Sequence, residues 1–424
     1  MNMQTGMKLS VAEMALCEAY DHAVGELPGD AAVLTARDGL ISEFKAGGLP
    51  TRRIEDWHYT DLKALLRTLP DRAPVASAAR VEPLVEGSTV LSVENGLVAG
   101  DFSLPGVEVR ALAETLADGS AAAGLSARNR DDLIGKINGA FVRGGFALDV
   151  PAGAALEKPI ELQTVQNGGQ THARFPVAFG AGSTATVIER HLALGEGAAF
   201  VTTLSDVTLD DNADVTWIIL QAQGVTDTHF GQVRIRLGAG SKLRLYVVNA
   251  GGKLVRQEVH VEVAGEEADF ILRGINLLGG DTHNDLTFTA AHNVPHTTSS
   301  EIIRNVVFDR AHGVFQGQIC VAQDAQKTDA KMSCNTLLLS DDADFSAKPE
   351  LEIFADDVQC GHGATVIDID HTQLFYLMAR GIPENRARAM LVNAFVAEIV
   401  EELEDEPLVE ALEAVIDRWL EKHA

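Results

Sequence analysis

The sequence predicts a mainly β protein, a solenoid of stacked strands with helical regions at both ends. Three observations carry that expectation. From Gly144, apolar and polar residues alternate at a period of two for about 200 residues, the mark of strands with one buried face. Within that stretch, polar or glycine corners precede a strand near Ser183, Asp214, Ser241, Asp269, Thr298 and Gln326, at steps of 31, 27, 28, 29 and 28 residues. Self-similarity near 28 residues, with no long helix between strands, argues for a β-helix whose repeats bury one continuous core. Finally, helical spacing is confined to the two ends of the chain. The rival architecture is a large β-sandwich of meanders. The spacing leaves open whether one repeat is a single wide turn or two narrow ones.

Taken in order, residues 8–26 carry Val11, Met14, Ala15, Ala19 and Val24 at helical steps, with Ser10 and Glu13 placed as a capping box. Residues 30–46 repeat the pattern and stop at Gly47-Gly48. Trp57 reads as an aromatic anchor into this N-terminal bundle, and Thr60 or Asp61 as the cap of a short helix through Leu66. Residues 67–80, rich in Pro, Ala and Arg, read as a linker. Short strands are expected at 88–92 and 107–111, and helices at about 111–118 and 130–142. Strand alternation then runs from Phe146 to Phe308, and the spacing breaks down after Asp344. Pro349–Asp357 is expected to be the last strand of the solenoid. Asp370 or Thr372 caps a helix ending at Arg380-Gly381. Residues 384–403 place Ala387, Leu391, Ala394, Phe395, Ile399 and Leu403 on one stripe, and Pro407 opens a last helix. Three regions follow: 1–143 mostly helical, 144–370 solenoid, 371–424 helical. The helical ends would serve as caps over the open ends of the solenoid.

Net charge is −27, so nucleic-acid phosphates and anionic lipid are repelled. Nine of the acids fall in residues 401–424, against Arg418 and Lys422. That tail reads as a solvated helical face, or as a docking surface for a basic partner. The four cysteines, Cys17, Cys320, Cys334 and Cys360, are too few for a disulfide framework. No apolar run approaches ~18 residues, which excludes a spanning helix. The polar Met1–Ser10 stretch lacks a signal-peptide core, and a cytoplasmic location is the expectation.

Several chemistries lack their motifs: G-x-x-x-x-G-K-[ST], G-x-S-x-G and H-E-x-x-H do not occur, and no G-x-G-x-x-G lies between a strand and a helix. The strongest pair is Cys360-Gly361-His362. On a strand, residues i and i+2 share a face about 6.5–7 Å apart, so thiolate and imidazole could share a soft metal or an iron–sulfur species. Two ligands do not complete a tetrahedral site, so the rest must come from a partner subunit. The alternative is a buried cysteine and a satisfied histidine at a strand end. His283, His292, His296 and His312 fit no ligand spacing and read as structural or solvated. Cys320 and Cys334 read as core.

Over residues 292–382 the chain carries an ordered run of motifs: Val314-Phe315-Gln316-Gly317, Ala325-Gln326-Lys327-Thr328-Asp329, Lys348-Pro349-Glu350-Leu351-Glu352-Ile353, Cys360, His362-Gly363-Ala364-Thr365 and Leu374-Phe375-Tyr376-Leu377. This run resembles the SufB/SufD family of iron–sulfur cluster assembly proteins. Gly48-Leu49-Pro50-Thr51-Arg52 with Trp57, Tyr59 and Thr60 is similar to the SufD branch. Gly361 stands where the family often has Ser, and Ile367 where Gly is usual. The resemblance implies a right-handed parallel β-helix and a non-enzymatic scaffold. It also implies pairing with SufB, or a homodimer when alone. A transient iron–sulfur cluster would form at that interface, with His362 on the cluster side and Cys360 beside it. C-terminal helices, with Leu374, Phe375, Leu377, Met378, Leu391 and Phe395, would dock the ATPase SufC. A flavin is implied only for the assembled complex. Two other functions compete: a cytoplasmic β-helix enzyme acting on carbohydrate through carboxylates, for which no carboxylate pair is evident, and a structural partner in which the Cys-x-His pair is inert.

Overall fold

The alternation resolves into two long sheets. The computed structural model describes residues 9–71, 81–100 and 102–423. Its strands are β1 (Thr89–Glu94), β2 (Leu97–Ala99), β3 (Glu108–Ala111), β4 (Gly144–Val150), β5 (Ile160–Gln166), β6 (Gly169–Phe179), β7 (Thr184–Ala193), β8 (Ala199–Leu209), β9 (Asp214–Ala222) and β10 (Thr228–Leu237). Next come β11 (Lys242–Asn249), β12 (Leu254–Val263), β13 (Asp269–Leu278), β14 (His283–His292), β15 (Thr298–Val307), β16 (His312–Val321), β17 (Asp329–Leu338), β18 (Asp344–Ile353) and β19 (Gln359–Ile367). Even strands from β4 to β18 form one parallel sheet and odd strands from β5 to β19 the other. Each repeat is therefore one coil that contributes one strand to each sheet. The parallel ladders exclude the sandwich of meanders, which needs antiparallel neighbours.

The corners explain the period. Gly182, Asn212, Gly240, Glu267, His296 and Lys327 all take positive φ, from 58° to 66°. Each comes one coil after the last and just before a buried small or hydroxyl residue, from Ser183 and Ala213 to Thr297 and Thr328. Their backbone N–H groups reach the next coil, as in Asn212 to the Ala239 carbonyl (2.8 Å) and His296 to the Gln326 carbonyl (2.9 Å). The left-handed bend is thus set by coil stacking even where no glycine is present. His296 is such a corner residue, which accounts for it without a ligand role.

Between the sheets lies the apolar core, with Phe179 edge-on to Trp217 (6.4 Å) and Phe270 stacked on Phe288 (5.9 Å). At the N-terminal end β1 joins β5 in parallel, while β2 and β3 fold back antiparallel on β1 and β4. The solenoid therefore begins within the helical lead-in.

The helices do not cap the ends. The N-terminal group comprises α1 (Val11–Ala23), α2 (Ala31–Gly47), α3 (Leu62–Leu65), α4 (Leu112–Ala117) and α5 (Leu133–Phe141). Ser10 and Glu13 form the expected capping box on α1, and Asp61 caps α3. Through α5 this group packs on the outer face of β6, β8 and β10, with Phe200, Phe230 and Leu254 in its apolar cluster. Trp57 anchors the group to the solenoid as well as within it. The fully buried Arg256 guanidinium lies 3.8 Å from the Trp57 ring centroid, pairs with Glu258 (2.8 Å) and Asp285 (2.5 Å), and donates to the Asp56 carbonyl. The greater part of the expected linker, residues 72–80, lies outside the described residues.

The C-terminal group is α6 (His371–Ala379), α7 (Glu384–Val400) and α8 (Glu406–His423). Helix α7 lies across β13 and β15 and beneath α8, and Arg273–Glu402 (2.6 Å) and Arg304–Glu398 (2.9 Å) tie this group to the sheet. Being covered on two sides, α7 buries Val392, Val396 and Val400 besides Ala387 and Ile399. Ala394, placed on the expected stripe, is exposed. The spacing does not break down at Asp344: β18 and β19 form a complete eighth coil in register with β16 and β17. The last strand is β19, and the breakdown expected from sequence reflects exposed rather than absent strands.

Removing the cation from the Trp57 anchor leaves two buried carboxylates unpaired. Arg256→Ala is expected to destabilise the fold by about 3–5 kcal/mol, measured by urea denaturation.

Candidate functional site

Strand β19 carries both residues of the Cys-x-His pair on its inner face. Cys360 is in register with Ala330, and His362 with Met332, both core residues of β17. Cys360 packs half-buried against that core, whereas His362 is exposed, because no described strand stacks beyond β19. Burial, the largest influence, pushes the Cys360 thiol up from its ordinary pKa, against a backbone hydrogen bond from Ala330. Burial thus favours the thiol over the thiolate at Cys360. Among the described residues no group of three or more His, Cys, Asp or Glu side chains is placed to hold a metal. The pair has the right donors for iron or a cluster and too few of them.

The surroundings are an open coil end. Strands β18 and β19 are each paired on one side only. Exposed apolar side chains stand on both sides of this coil, Ile353 (39% exposed) and Phe354 (64%) at the end of β18 and Val366 (45%) and Ile367 (51%) at the end of β19. Exposed edges with apolar side chains are templates for another chain. Sequence reading named Ile353 and Ile367 within motifs but assigned none of the four to a surface; their signal was the adjacent apolar pairs Ile353-Phe354 and Val366-Ile367.

Beneath His362 runs a continuous inner column: Trp217, Leu245, Leu272, Glu301, Met332, His362. Glu301 is an acid in an apolar register, and this column position could have been found by alternation. It is fully buried, and neither carboxyl oxygen has a partner at good hydrogen-bond geometry, Ser299 making only a weak contact. Burial outweighs the smaller opposing effects of Ser299 and Arg273 and pushes its pKa up to about 8. Cys334, buried in the neighbouring column, accepts a hydrogen bond from Asn305 (3.3 Å), and its thiol is pushed up to about 12. Cys320 is not core: it faces outward on β16, near Glu352. The other histidines have structural partners. His283 contacts Thr60 (3.0 Å) and stacks on His312, and His292 sits between Thr297 and Ser299.

Past β19, Phe375 (72% exposed), Tyr376 (56%) and Met378 (41%) on α6 and Met390 (44%) on α7 are further exposed apolar side chains. Leu374, Leu377 and Leu391 turn inward and pack with Ile369 and Ala387. Phe395 faces the sheet, with the Arg304 guanidinium 5.3 Å from its ring centroid.

Comparison with known proteins matches residues 162–395, more than half of the chain, to the SufBD core domain of SUF-system iron–sulfur cluster assembly. The chain belongs to the SufBD family. It is 30% identical to the iron–sulfur cluster assembly protein SufD of Escherichia coli (strain K12), over 90% of this chain and 91% of that protein. It is 28% identical to a SufBD family protein of Synechocystis sp., with 88% of each covered, and 26% identical to the chloroplastic protein ABCI7 of Arabidopsis thaliana, over 92% of this chain and 86% of that one. These relatives place it in the SufD branch, a subunit of SUF-system iron–sulfur cluster assembly. No described helix is long and apolar enough to cross a membrane.

Glu301 makes stability depend on pH. Its folded pKa of about 8 exceeds the ordinary 4.5, so the folded state holds the proton more tightly. That contribution is complete below about pH 4.5 and is lost as pH rises toward 8. Glu301→Gln, neutral at every pH, is expected to melt above wild type at pH 8, by a margin that shrinks toward pH 5 in circular-dichroism melts.

Proposed function

We propose that this chain is a cytoplasmic scaffold subunit that pairs with a SufB-like subunit through the open end of its solenoid. In this reading Cys360 and His362 are one half of a site where a transient iron–sulfur cluster is built, and the partner supplies the remaining ligands. The observation that carries it is the uncovered eighth coil. Two singly paired strands, exposed apolar side chains and an incomplete donor pair all meet at one end of the molecule. A partner strand added to each edge would satisfy the backbone, cover Ile353, Phe354, Val366 and Ile367, and bring new ligands beside His362. Without that partner, the same edges would join two copies of this chain.

The exposed Phe375, Tyr376, Met378 and Met390 then serve a SufC-like ATPase. Leu374, Leu377, Leu391 and Phe395 hold the helices that present them. The missing P-loop fits this division, since ATP hydrolysis belongs to the partner and the chain itself does no turnover. The segments 1–143, 144–370 and 371–424 act as buttress, assembly scaffold and ATPase dock. No residue of this chain is assigned to a flavin, which this reading leaves to the assembled complex.

Co-expression with SufB-like and SufC-like partners under anaerobic conditions tests the reading. Val366→Lys with Ile367→Lys is expected to abolish co-purification of the SufB-like subunit. Phe375→Asp with Met378→Asp should release only the ATPase. His362→Ala should leave the complex intact and lower the cluster reconstituted with iron and sulfide several-fold, read by absorbance near the cluster bands. Unchanged cluster formation in that variant would remove His362 from the site.

A further inference from the structure

A second cleft, remote from the open coil end, has the make-up of an anion site. It encloses about 520 Å³ between helix α8 and the turns that leave β7, β9, β11 and β13, a size suited to a small organic ligand. The chain has 61 acidic residues against 34 Lys and Arg, yet none of the described residues lining this cleft is Asp or Glu. Two cations of α8, Arg418 and Lys422, line it and make no ion pair or side-chain hydrogen bond among the described residues. Cations at the end of a helix complement its dipole, but that complementation does not require an acid-free wall opposite.

Glycines line the wall, where coil packing already excludes a side chain at Gly195, whose Cβ would meet Asn167, and at Gly251, whose Cβ would meet the Gln223 main chain. Gly195, Gly224, Gly251 and Gly279 line it one coil apart, leaving the main chain bare of side chains. At Gly279 the absence of a side chain is needed: a Cβ there would lie 2.5 Å from the His423 ring. His423, seated against Gly279, donates from Nδ1 to the Trp419 carbonyl (2.8 Å), its one hydrogen bond among the described residues, and stacks on the Trp419 ring at 4.1 Å and 17°. The acid behind this wall, Asp227, is buried and taken up by the Gly224 N–H (2.8 Å), the Ala199 N–H (2.9 Å) and Gln166 (3.0 Å). Arg190 is likewise committed, to Glu161 (3.2 Å).

We propose that this cleft binds a phosphate-bearing small molecule of nucleotide size. Its phosphates lie between Arg418, Lys422 and the glycine turns, and its ring lies on the His423–Trp419 stack. Phosphate against guanidinium and ammonium is the strongest interaction such a surface offers, and a stacked aromatic pair is a platform for a planar base.

Tryptophan fluorescence of the full chain reads the site directly, because Trp57 and Trp217 are fully buried elsewhere and Trp419 lines the cleft. Titration with ADP, pyrophosphate and adenosine, checked by calorimetry, is expected to show saturable binding of ADP and pyrophosphate. Adenosine should bind at least about tenfold more weakly than ADP, the effect of losing one or more charge-assisted contacts. Arg418→Gln with Lys422→Gln, confirmed folded by circular dichroism, should weaken ADP by about tenfold or more. No saturable binding of ADP or pyrophosphate at millimolar concentration would overturn the proposal, and so would unchanged affinity in the double variant. Adenosine binding as tightly as ADP would overturn the assignment of phosphate to the two cations.

Discussion

A parallel coil satisfies its backbone only through the coils above and below it, and that constraint organises this molecule. At the start of the solenoid β2 and β3 fold back antiparallel on β1 and β4 and end both sheets with short strands. At the far end no described strand folds back, and β18 and β19 each keep one unpaired edge. Unpaired strand edges are ordinarily blunted by charge, proline or a covering helix. Here Pro349 lies on β18, but the last coil also presents Ile353, Phe354, Val366 and Ile367 to solvent. The helices that might have covered the end are instead laid along the outer sheet faces. The open end and the Cys-x-His pair coincide, so one surface answers both the backbone requirement and the missing ligands.

Register carries this effect inward. Because each residue stacks on its counterpart one coil away, a change of chemistry appears as a break in a column. The column from Trp217 through Leu272 is apolar, then turns to Glu301, Met332 and His362 as it nears the open end. A buried acid held neutral, a thioether and an exposed imidazole stand in sequence there. The outer faces obey the same geometry with different chemistry. The glycines lining the cleft under α8 recur one per coil because they leave successive strands of one sheet. Arg256 and its carboxylates, by contrast, are one buried locking point between solenoid and N-terminal helices, beside links such as Arg234–Asp132 and Asn138–Thr202.

Much of this was legible in one sequence, for definite reasons. Alternation reports burial on one face, so strands from Phe146 to Phe308 could be read one by one. The corner spacing reports coil length, because every corner must occupy the same place in its coil. The capping box at Ser10 and Glu13 is a local interaction and came out as expected. Reading failed where burial depends on distant elements. Helix α7 is covered on two faces, so its stripe was misplaced at Ala394. Strands β18 and β19 are complete, yet half their inner residues face solvent, so alternation faded although the backbone continued. Cys320 has apolar neighbours in sequence but lies on an outward register position.

The sequence alone determined the solenoid, its repeat length, its helical flanks and the family to which its motifs belong, because these rest on periodicity and short-range pattern. It also placed Cys360 and His362 on one face of a strand, since residues two apart on a strand always share a face. Only the tertiary structure decided that this face is the inner one at an uncovered coil end. It alone decided that helices buttress the sides and leave that end open, and that Arg418 and Lys422 meet glycines more than a hundred residues away in sequence. These relations depend on which coil is last and on how helices dock, and no local pattern in the chain encodes either.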